Sequence, residues 1–175
     1  MIYTCCYNSP LGDILLASNG VSLTGAWFEG QKYYGYTLGK ETTDNPDLPL
    51  FGIVSEWLDA YFAGRKPNAA DLPLTPSGAA FRQSIWRELL AIPYGEVMTY
   101  GAIAKRAGCM SAQAVGGAVG HNPISIIIPC HRVIGSNGSL TGYAGGIERK
   151  LELLRLEGFD VSSVFAPPSL RITSN

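Results

Sequence analysis

The chain is short of charge, of histidine and of patterned cysteine. Asp, Glu, Lys and Arg make up 15% of its 175 residues, against about 25% in an average globular domain. Thirteen basic and fourteen acidic residues leave a formal charge of −1, which by itself argues against a nucleic-acid partner. Two histidines, His121 and His131, and four cysteines without a Cys-x-x-Cys pair offer no zinc-ligand spacing. Cys5 and Cys6 are adjacent, and Cys109 and Cys130 stand apart, so no disulfide framework is expected. No apolar run approaches the ~18–20 residues of a membrane span. Met1-Ile2-Tyr3-Thr4 opens without a charged region ahead of an apolar stretch. These absences exclude a disulfide-stapled scaffold, a zinc module and a helical membrane protein. An intracellular protein with reduced thiols is expected.

What is present describes a chain able to build its own core. This length fits one domain or two small ones sharing an interface, and buries roughly 70% of the surface exposed when unfolded. Apolar residues are 46% of the chain, and 21 glycines point to tight turns and close backbone approaches. Charge is unevenly placed. Residues 1–81 hold four Lys/Arg and eight Asp/Glu, whereas residues 82–158 hold eight and five, leaving room for a local polyanion site in the second half.

Short β-rich runs at 2–7, 14–17 and 21–28 are broken by Asn8-Ser9-Pro10-Leu11-Gly12-Asp13 and Ser18-Asn19-Gly20. They predict a small antiparallel meander. Residues 35–49 read as loop. Phe51, Val54, Trp57, Leu58, Tyr61 and Phe62 recur at helical spacing, so a helix is expected over 50–63, stopped by Gly64. Pro67, Pro73 and Pro76 mark 65–78 as a linker. Beyond it Phe81, Ile85, Leu89 and Ile92 form a helical stripe ended by Pro93-Tyr94-Gly95. Thr99 is placed to cap a helix over 100–107 stopped by Gly108, and Ser111 to cap another over 112–120, a helix-turn-helix candidate. The run 124–128 predicts a buried strand, 135–146 a Gly/Ser/Asn-rich loop, and 147–157 a last helix. The expected fold class is α/β (α+β): a sheet-and-helix unit over 1–78, a helical unit over 79–163, and a tail over 164–175.

The second short helix is unusual in its small residues. Ala112, Ala114, Gly116, Gly117 and Ala118 include two glycines, each costing about 1 kcal/mol relative to Ala. Such a face serves either close helix packing or entry into a narrow groove by shape and backbone contact. Major-groove reading needs long polar side chains, and only Gln113 is offered. Cys130 is either a buried structural thiol or a nucleophile facing a cleft. An unperturbed thiol is about 3% thiolate at pH 7, and full ionisation lowers a barrier by only ~2 kcal/mol. Positioning of the electrophile therefore has to contribute more. His131 is either a core histidine or the base, and on a strand it points away from Cys130 unless the backbone bends. Glu157 reads alone as part of a solvated helix face, or as the acid of a nucleophile–His–acid relay.

Ile128-Pro129-Cys130-His131-Arg132-Val133 resembles the active-site signature of the O6-alkylguanine-DNA alkyltransferases, single-use DNA-repair proteins. Ile92-Pro93-Tyr94-Gly95, Thr99-Tyr100-Gly101, Ala114-Val115-Gly116-Gly117-Ala118, Asn122-Pro123, Gly142-Tyr143-Ala144-Gly145-Gly146 and Lys150 resemble that family in order and spacing. So does the stretch from Leu153-Leu154 to Glu157-Gly158, and the likeness covers roughly residues 79–158. The resemblance implies that Cys130 attacks the alkyl carbon on guanine O6 in one displacement. His131 then takes the thiol proton through a water, Glu157 orients His131, and Asn122 holds the turn that sets Cys130. It also implies that Tyr100 donates to the extruded base and crowds the phosphate, and that Val133, Tyr143 and Ala144 line the base pocket. Gln113, Ala114, Gly116 and Gly117 are implied to meet the duplex. The nucleotide must leave the stack, because the alkyl carbon is unreachable within it. A thioether has no hydrolytic exit, so the protein acts once, and no cofactor or metal is implied. The implied partner is double-stranded DNA carrying O6-alkylguanine, with O4-alkylthymine a second candidate. The implied protein is a monomer of the cytoplasm and nucleoid, or of the nucleus, with no membrane association.

Two positions depart from the family pattern. Gln113 stands where an Arg usually fills the vacated stack, and Gly120 where a second basic residue is frequent. Two fewer phosphate contacts flatten the salt slope by ~1.8, so weaker duplex binding is expected. A lesion-binding protein without transfer is the alternative this raises. In such relatives the acceptor is replaced by Trp, whereas Cys130 is kept here. A helix-turn-helix transcription factor and a cysteine hydrolase are the remaining alternatives, the latter lacking an evident oxyanion loop.

Overall fold

The computed structural model describes residues 1–109 and 111–165. β1 (Ile2–Ser9), β2 (Gly12–Ser18) and β3 (Leu23–Phe28) form the antiparallel meander, with Cys5 opposite Leu16 and Leu16 opposite Ala26. Local side chains close its turns. Ser9 Oγ accepts from Leu11 N, and Asn19 Oδ1 accepts from Val21 N and Ser22 N. The stretch 35–49 is not all loop: β4 (Thr42–Asp44) pairs parallel to β1, giving the order β3-β2-β1-β4. All three residues of β4 are exposed, so this polar edge carries no apolar alternation. α1 (Pro49–Phe62) starts on a proline, as a first helical turn tolerates. It buries Leu50, Phe51, Val54, Trp57, Leu58 and Tyr61 in one core with Ile14, Leu16, Ala26 and Phe28 of the sheet.

The outer edge of β3 is covered, and this positions the site. Leu23 N donates to Pro73 O at 2.8 Å and Thr75 N to Leu23 O at 2.9 Å. Farther along, Ala26 N donates to Pro123 O at 2.8 Å and Ser125 N to Ala26 O at 2.9 Å. The sheet of the first half thereby holds the segment that leads to Cys130.

In the second half, α2 (Ala80–Leu90) and the parallel pair β5 (Met98–Thr99) and β6 (Val133–Ile134) frame α3 (Tyr100–Arg106), α4 (Ala112–Gly120) and α5 (Ile147–Leu156). Both caps form: Thr99 Oγ1 accepts from Ala102 N, and Ser111 Oγ from Ala114 N, each at 3.1 Å. α4 buries Val115, Ala118 and Val119, is tied to α2 by Trp86 Nε1 donating to Ala118 O at 2.9 Å, and exposes Ala112, Gln113, Ala114 and Gly117.

Two further expectations are corrected. Residues 124–128 are buried but form turns rather than a strand, with only Ile124 bridged to Ala26. An apolar run reports burial, and a ladder needs a partner edge that β3 supplies for a single residue. The linker 65–78 contains a 3₁₀ turn, Ala69–Asp71, capped by Asn68. At the start of the tail, Leu140 N donates to Phe165 O at 2.8 Å. The rest of it, including Ala166-Pro167-Pro168, lies outside the described residues. Among the described residues no helix is long and apolar enough to cross a membrane.

Candidate active site

The bend between Ile128 and Arg132 is made by Pro129. Its φ of −82° and ψ of 64°, with Cys130 N donating to Ile128 O at 2.8 Å, describe an inverse γ-turn. The chain then enters a 3₁₀ turn, Cys130–Arg132, where successive side chains are about 120° apart instead of on opposite faces. Upstream, Ile126 holds a φ of 70°, strain a β-branched residue keeps only when its surroundings enforce it. Asn122 ties down both ends of this turn. Buried to 3% exposure, it accepts from Ile124 N at 3.0 Å through Oδ1. Its Nδ2 donates to Ile128 O at 2.8 Å and to Cys130 Sγ at 3.0 Å.

Cys130 is buried. Burial pushes its thiol up to about 11, against the pull of the Asn122 hydrogen bond and the Lys150 charge. At pH 7 the resting group is therefore the neutral thiol, and the anion has to form as its proton leaves. Lys150, on α5, is itself buried and lowered to about 8, chiefly by desolvation, with Cys130 acting the other way. It donates to Val133 O and, at 3.1 Å, to Thr141 O.

His131 is fully buried, with Nε2 2.7 Å from Glu157 Oε1. Burial lowers its pKa, with Glu157 pulling the other way, so the imidazole is neutral at pH 7. Burial alone raises Glu157, but hydrogen bonds from His131 and Arg132 outweigh it and hold the carboxyl well below the usual range. An ionised carboxylate only accepts. Nε2 must therefore carry the proton, which leaves Nδ1 as a bare lone pair; that atom is buried without a partner among the described residues. This is the tautomer of a general base.

Glu157, the residue that ends α5, is gripped by five donors. Oε1 accepts from His131, from Tyr61 Oη at 2.7 Å and from Arg132 at 2.9 Å. Oε2 accepts from Arg132 Nε at 2.8 Å and Gly95 N at 3.1 Å. Gly95 is required there: its φ is 79°, and a Cβ would lie 2.8 Å from Glu157 O. The sequence reading assigns Tyr61, Arg132 and Gly95 no role in the site, although Arg132 and Gly95 belong to the motifs that carry the family resemblance. Arg132 stood next to His131 as a usable signal, whereas Tyr61 counted only as one position of an apolar stripe.

A cavity of about 430 Å³ lies beside α4, and Gly116, Gly117, Tyr143 and Ala144 all line it. Val133 does not. It is fully buried in β6, where its carbonyl receives Lys150. Tyr100 Oη donates to Thr141 O at 2.6 Å, and burial pushes its hydroxyl up to about 12. Gly142 passes directly beneath it with a φ of 74°, where a Cβ would stand 2.7 Å from Tyr100 Oη. Gln113 and Ala114 lie on the exposed start of α4, outside this cavity.

A helix-turn-helix joined to a sheet-and-helix unit, with a buried thiol followed by a carboxylate-locked neutral histidine, defines a class of nucleophilic-cysteine protein. The chain belongs to the 6-O-methylguanine DNA methyltransferase family: the model of that family's ribonuclease-like domain matches residues 1–76, and that of its DNA binding domain residues 80–159. Proteins named methylated-DNA–protein-cysteine methyltransferase are 46% identical in Methanosarcina acetivorans, covering 90% of this chain and 99% of theirs, and 45% identical in Haemophilus influenzae, covering 89% and 86%. The crystal structure of Mycobacterium tuberculosis O6-methylguanine methyltransferase matches with a TM-score of 0.80 at 43% identity, covering 97% of this chain and 99% of that one. The structure of Mycobacterium tuberculosis OGT in complex with DNA matches with a TM-score of 0.82 at 44% identity, covering 93% and 94%.

Proposed function

We infer that the chain repairs alkylated DNA by direct reversal, as a methylated-DNA–protein-cysteine S-methyltransferase that moves the alkyl group of O6-alkylguanine onto Cys130 and acts once. The observation that carries this reading is the neutral His131 with its bare Nδ1, held by Glu157 in the same 3₁₀ turn as the Asn122-bonded Cys130.

The thiol proton passes to Nδ1 through a water, and the sulfur electron pair forms the S–C bond as the C–O6 bond breaks. The electrons of that bond stay on guanine, which takes up the proton. Thiol and O6-alkylguanine become thioether and guanine, a balance that needs no cofactor and no metal. Asn122 and the buried Lys150 ammonium favour the sulfur anion as it forms. Tyr100 exchanges its bond to Thr141 for the extruded base, while Tyr143 and Ala144 line the pocket that receives it.

Residues 79–163 are the unit that holds DNA and the acceptor, residues 1–78 brace it, and 164–175 are a tail. Double-stranded DNA carrying alkylated guanine is the partner. Ala114, Gly116 and Gly117 meet the groove, and Gln113 fills the vacated stack. On this reading the protein acts as a monomer, in whichever of cytoplasm, nucleoid or nucleus holds the DNA.

Incubation with a duplex containing O6-methylguanine, followed by peptide mass spectrometry, tests this. One methyl group per chain on the Cys130 peptide is expected, and none in Cys130→Ser, which keeps most of its DNA affinity. Transfer at the wild-type rate in that variant, or turnover beyond one equivalent, overturns the assignment.

A further inference from the structure

Under the proposed function α4 lies against DNA, yet three of its nine residues are Gly116, Gly117 and Gly120. Glycine loses more freedom on becoming helical than any other residue, so such a helix needs holding from outside. Ser111 caps its start, and Trp86 holds Ala118 O from the buried side. His121 closes its end. His121 N and Nδ1 both reach Gly117 O, at 3.2 and 2.7 Å; a carbonyl only accepts, so Nδ1 carries the proton. The last turn of α4 therefore depends on where the His121 ring is held.

That ring is held from the first half of the chain, by the loop after β3. Tyr36 N donates to Tyr33 O at 3.2 Å, and the turn so closed sets two tyrosines around one imidazole. Tyr33 stacks on it, ring centroids 3.9 Å apart at 24°. Tyr36 meets it edge-on, and its Oη donates to His121 O at 2.6 Å. Tyr33 holds a left-handed φ of 59°, a conformation that a non-glycine residue keeps only where its surroundings enforce it. Lys32 N, donating to Ala144 O at 3.0 Å, ties the other end of the loop to the segment that carries Tyr143.

We propose that Tyr33 and Tyr36 are positioning residues for α4. By fixing the His121 ring they keep the end of the helix in the shape that fits the duplex, so affinity for DNA, and not the transfer step, depends on this loop. The inference rests on the DNA-repair function. Glu157, which orients His131, takes its side-chain bonds from His131, Tyr61 and Arg132, and neither loop tyrosine is among them.

Amide hydrogen exchange of the DNA-free protein, and single-turnover methyl transfer over a range of O6-methylguanine duplex concentrations, test this in the wild type, Tyr36→Phe, Tyr33→Leu and Tyr33→Phe. Tyr36→Phe deletes only the hydroxyl, and Tyr33→Leu only the stacking face. Each is expected to speed exchange at the amides of 119–121 about three- to tenfold and to raise the half-saturating duplex concentration by a similar factor. The rate at saturation should stay within about twofold of wild type. Tyr33→Phe keeps the ring and should match the wild type in all three. Weaker binding with unchanged exchange overturns the proposal, because the rings then touch DNA themselves. Faster exchange with unchanged half-saturation also overturns it, as does a loss confined to the saturating rate. A wild-type protein that neither binds the duplex nor takes its methyl group overturns the repair function instead.

Discussion

At the scale of single residues, the site is organised around Glu157 more than around the thiol. Two charge-assisted bonds from Arg132 and one from His131 make the carboxylate a fixed anion, and that anion dictates which imidazole nitrogen is free. Tyr61 adds a fourth side-chain bond to it from the first half of the chain, at 2.7 Å. A hydrogen bond to a charged group contributes about 1.5–3 kcal/mol, and here three other side-chain bonds remain when it is removed. Tyr61→Phe is therefore expected to lower unfolding stability by ~1–2 kcal/mol and to slow methyl transfer several-fold, since the imidazole loses part of its bracing. Urea unfolding and single-turnover kinetics check this; no change in either quantity would mean that the hydroxyl is incidental. The same residue shows where sequence reading stops. Glu157 lies 96 positions from Tyr61, and helical spacing records only that Tyr61 faces inward. Cys130, His131 and Asn122 were legible because they sit in one short segment with a signature order.

At the scale of elements, what could be read is what is decided locally. The Thr99 and Ser111 caps, the stop at Gly108 and the meander turns all involve side chains within a few positions of the backbone they satisfy. β4, the β5–β6 pair and the turns over 124–128 depend on edges supplied from far along the chain, and periodicity cannot see them. α4 illustrates a conflict between levels. A Cβ built at Gly117 meets nothing within 4 Å, so Ala would fit and would favour the helix by about 1 kcal/mol. The glycine lies on an exposed face that also borders the cavity, and under the proposed function the duplex backbone comes close there. Gly117→Ala is expected to raise stability by roughly that amount and to weaken binding to an O6-methylguanine duplex. Thermal unfolding and a titration of labelled DNA measure the two effects, and a gain in both, or a loss in both, contradicts the groove-facing role.

At the scale of the whole molecule, the two halves share one buried electrostatic centre. Arg149 clasps them on one side, donating to Leu11 O at 2.9 Å and Gly145 O at 3.2 Å; Tyr61 joins them on the other. Stability should therefore report the protonation of that centre. His131 is held below its ordinary value, so the unfolded chain binds a proton below about pH 6.5 that the native state refuses. Glu157 is likewise depressed, so the unfolded chain takes up a second proton below about pH 4.3. Stability rises with pH wherever the unfolded state binds more protons. Both contributions are thus complete above pH 6.5 and are lost as pH falls, the histidine first and the carboxylate below it. From pH 8 to 7 the depressed Lys150 already lowers the urea midpoint on acidification, and below about pH 7 these two stages follow. Glu157→Gln strands the half-buried Arg132 and lowers the midpoint at pH 7, by ~3 kcal/mol or more for a buried pair broken on one side. Its acid limb should nevertheless be shallower than that of the wild type, because the carboxylate stage is gone. A wild-type midpoint that is flat between pH 7 and 4, or an acid slope identical in Glu157→Gln, would show that this centre does not couple the two halves.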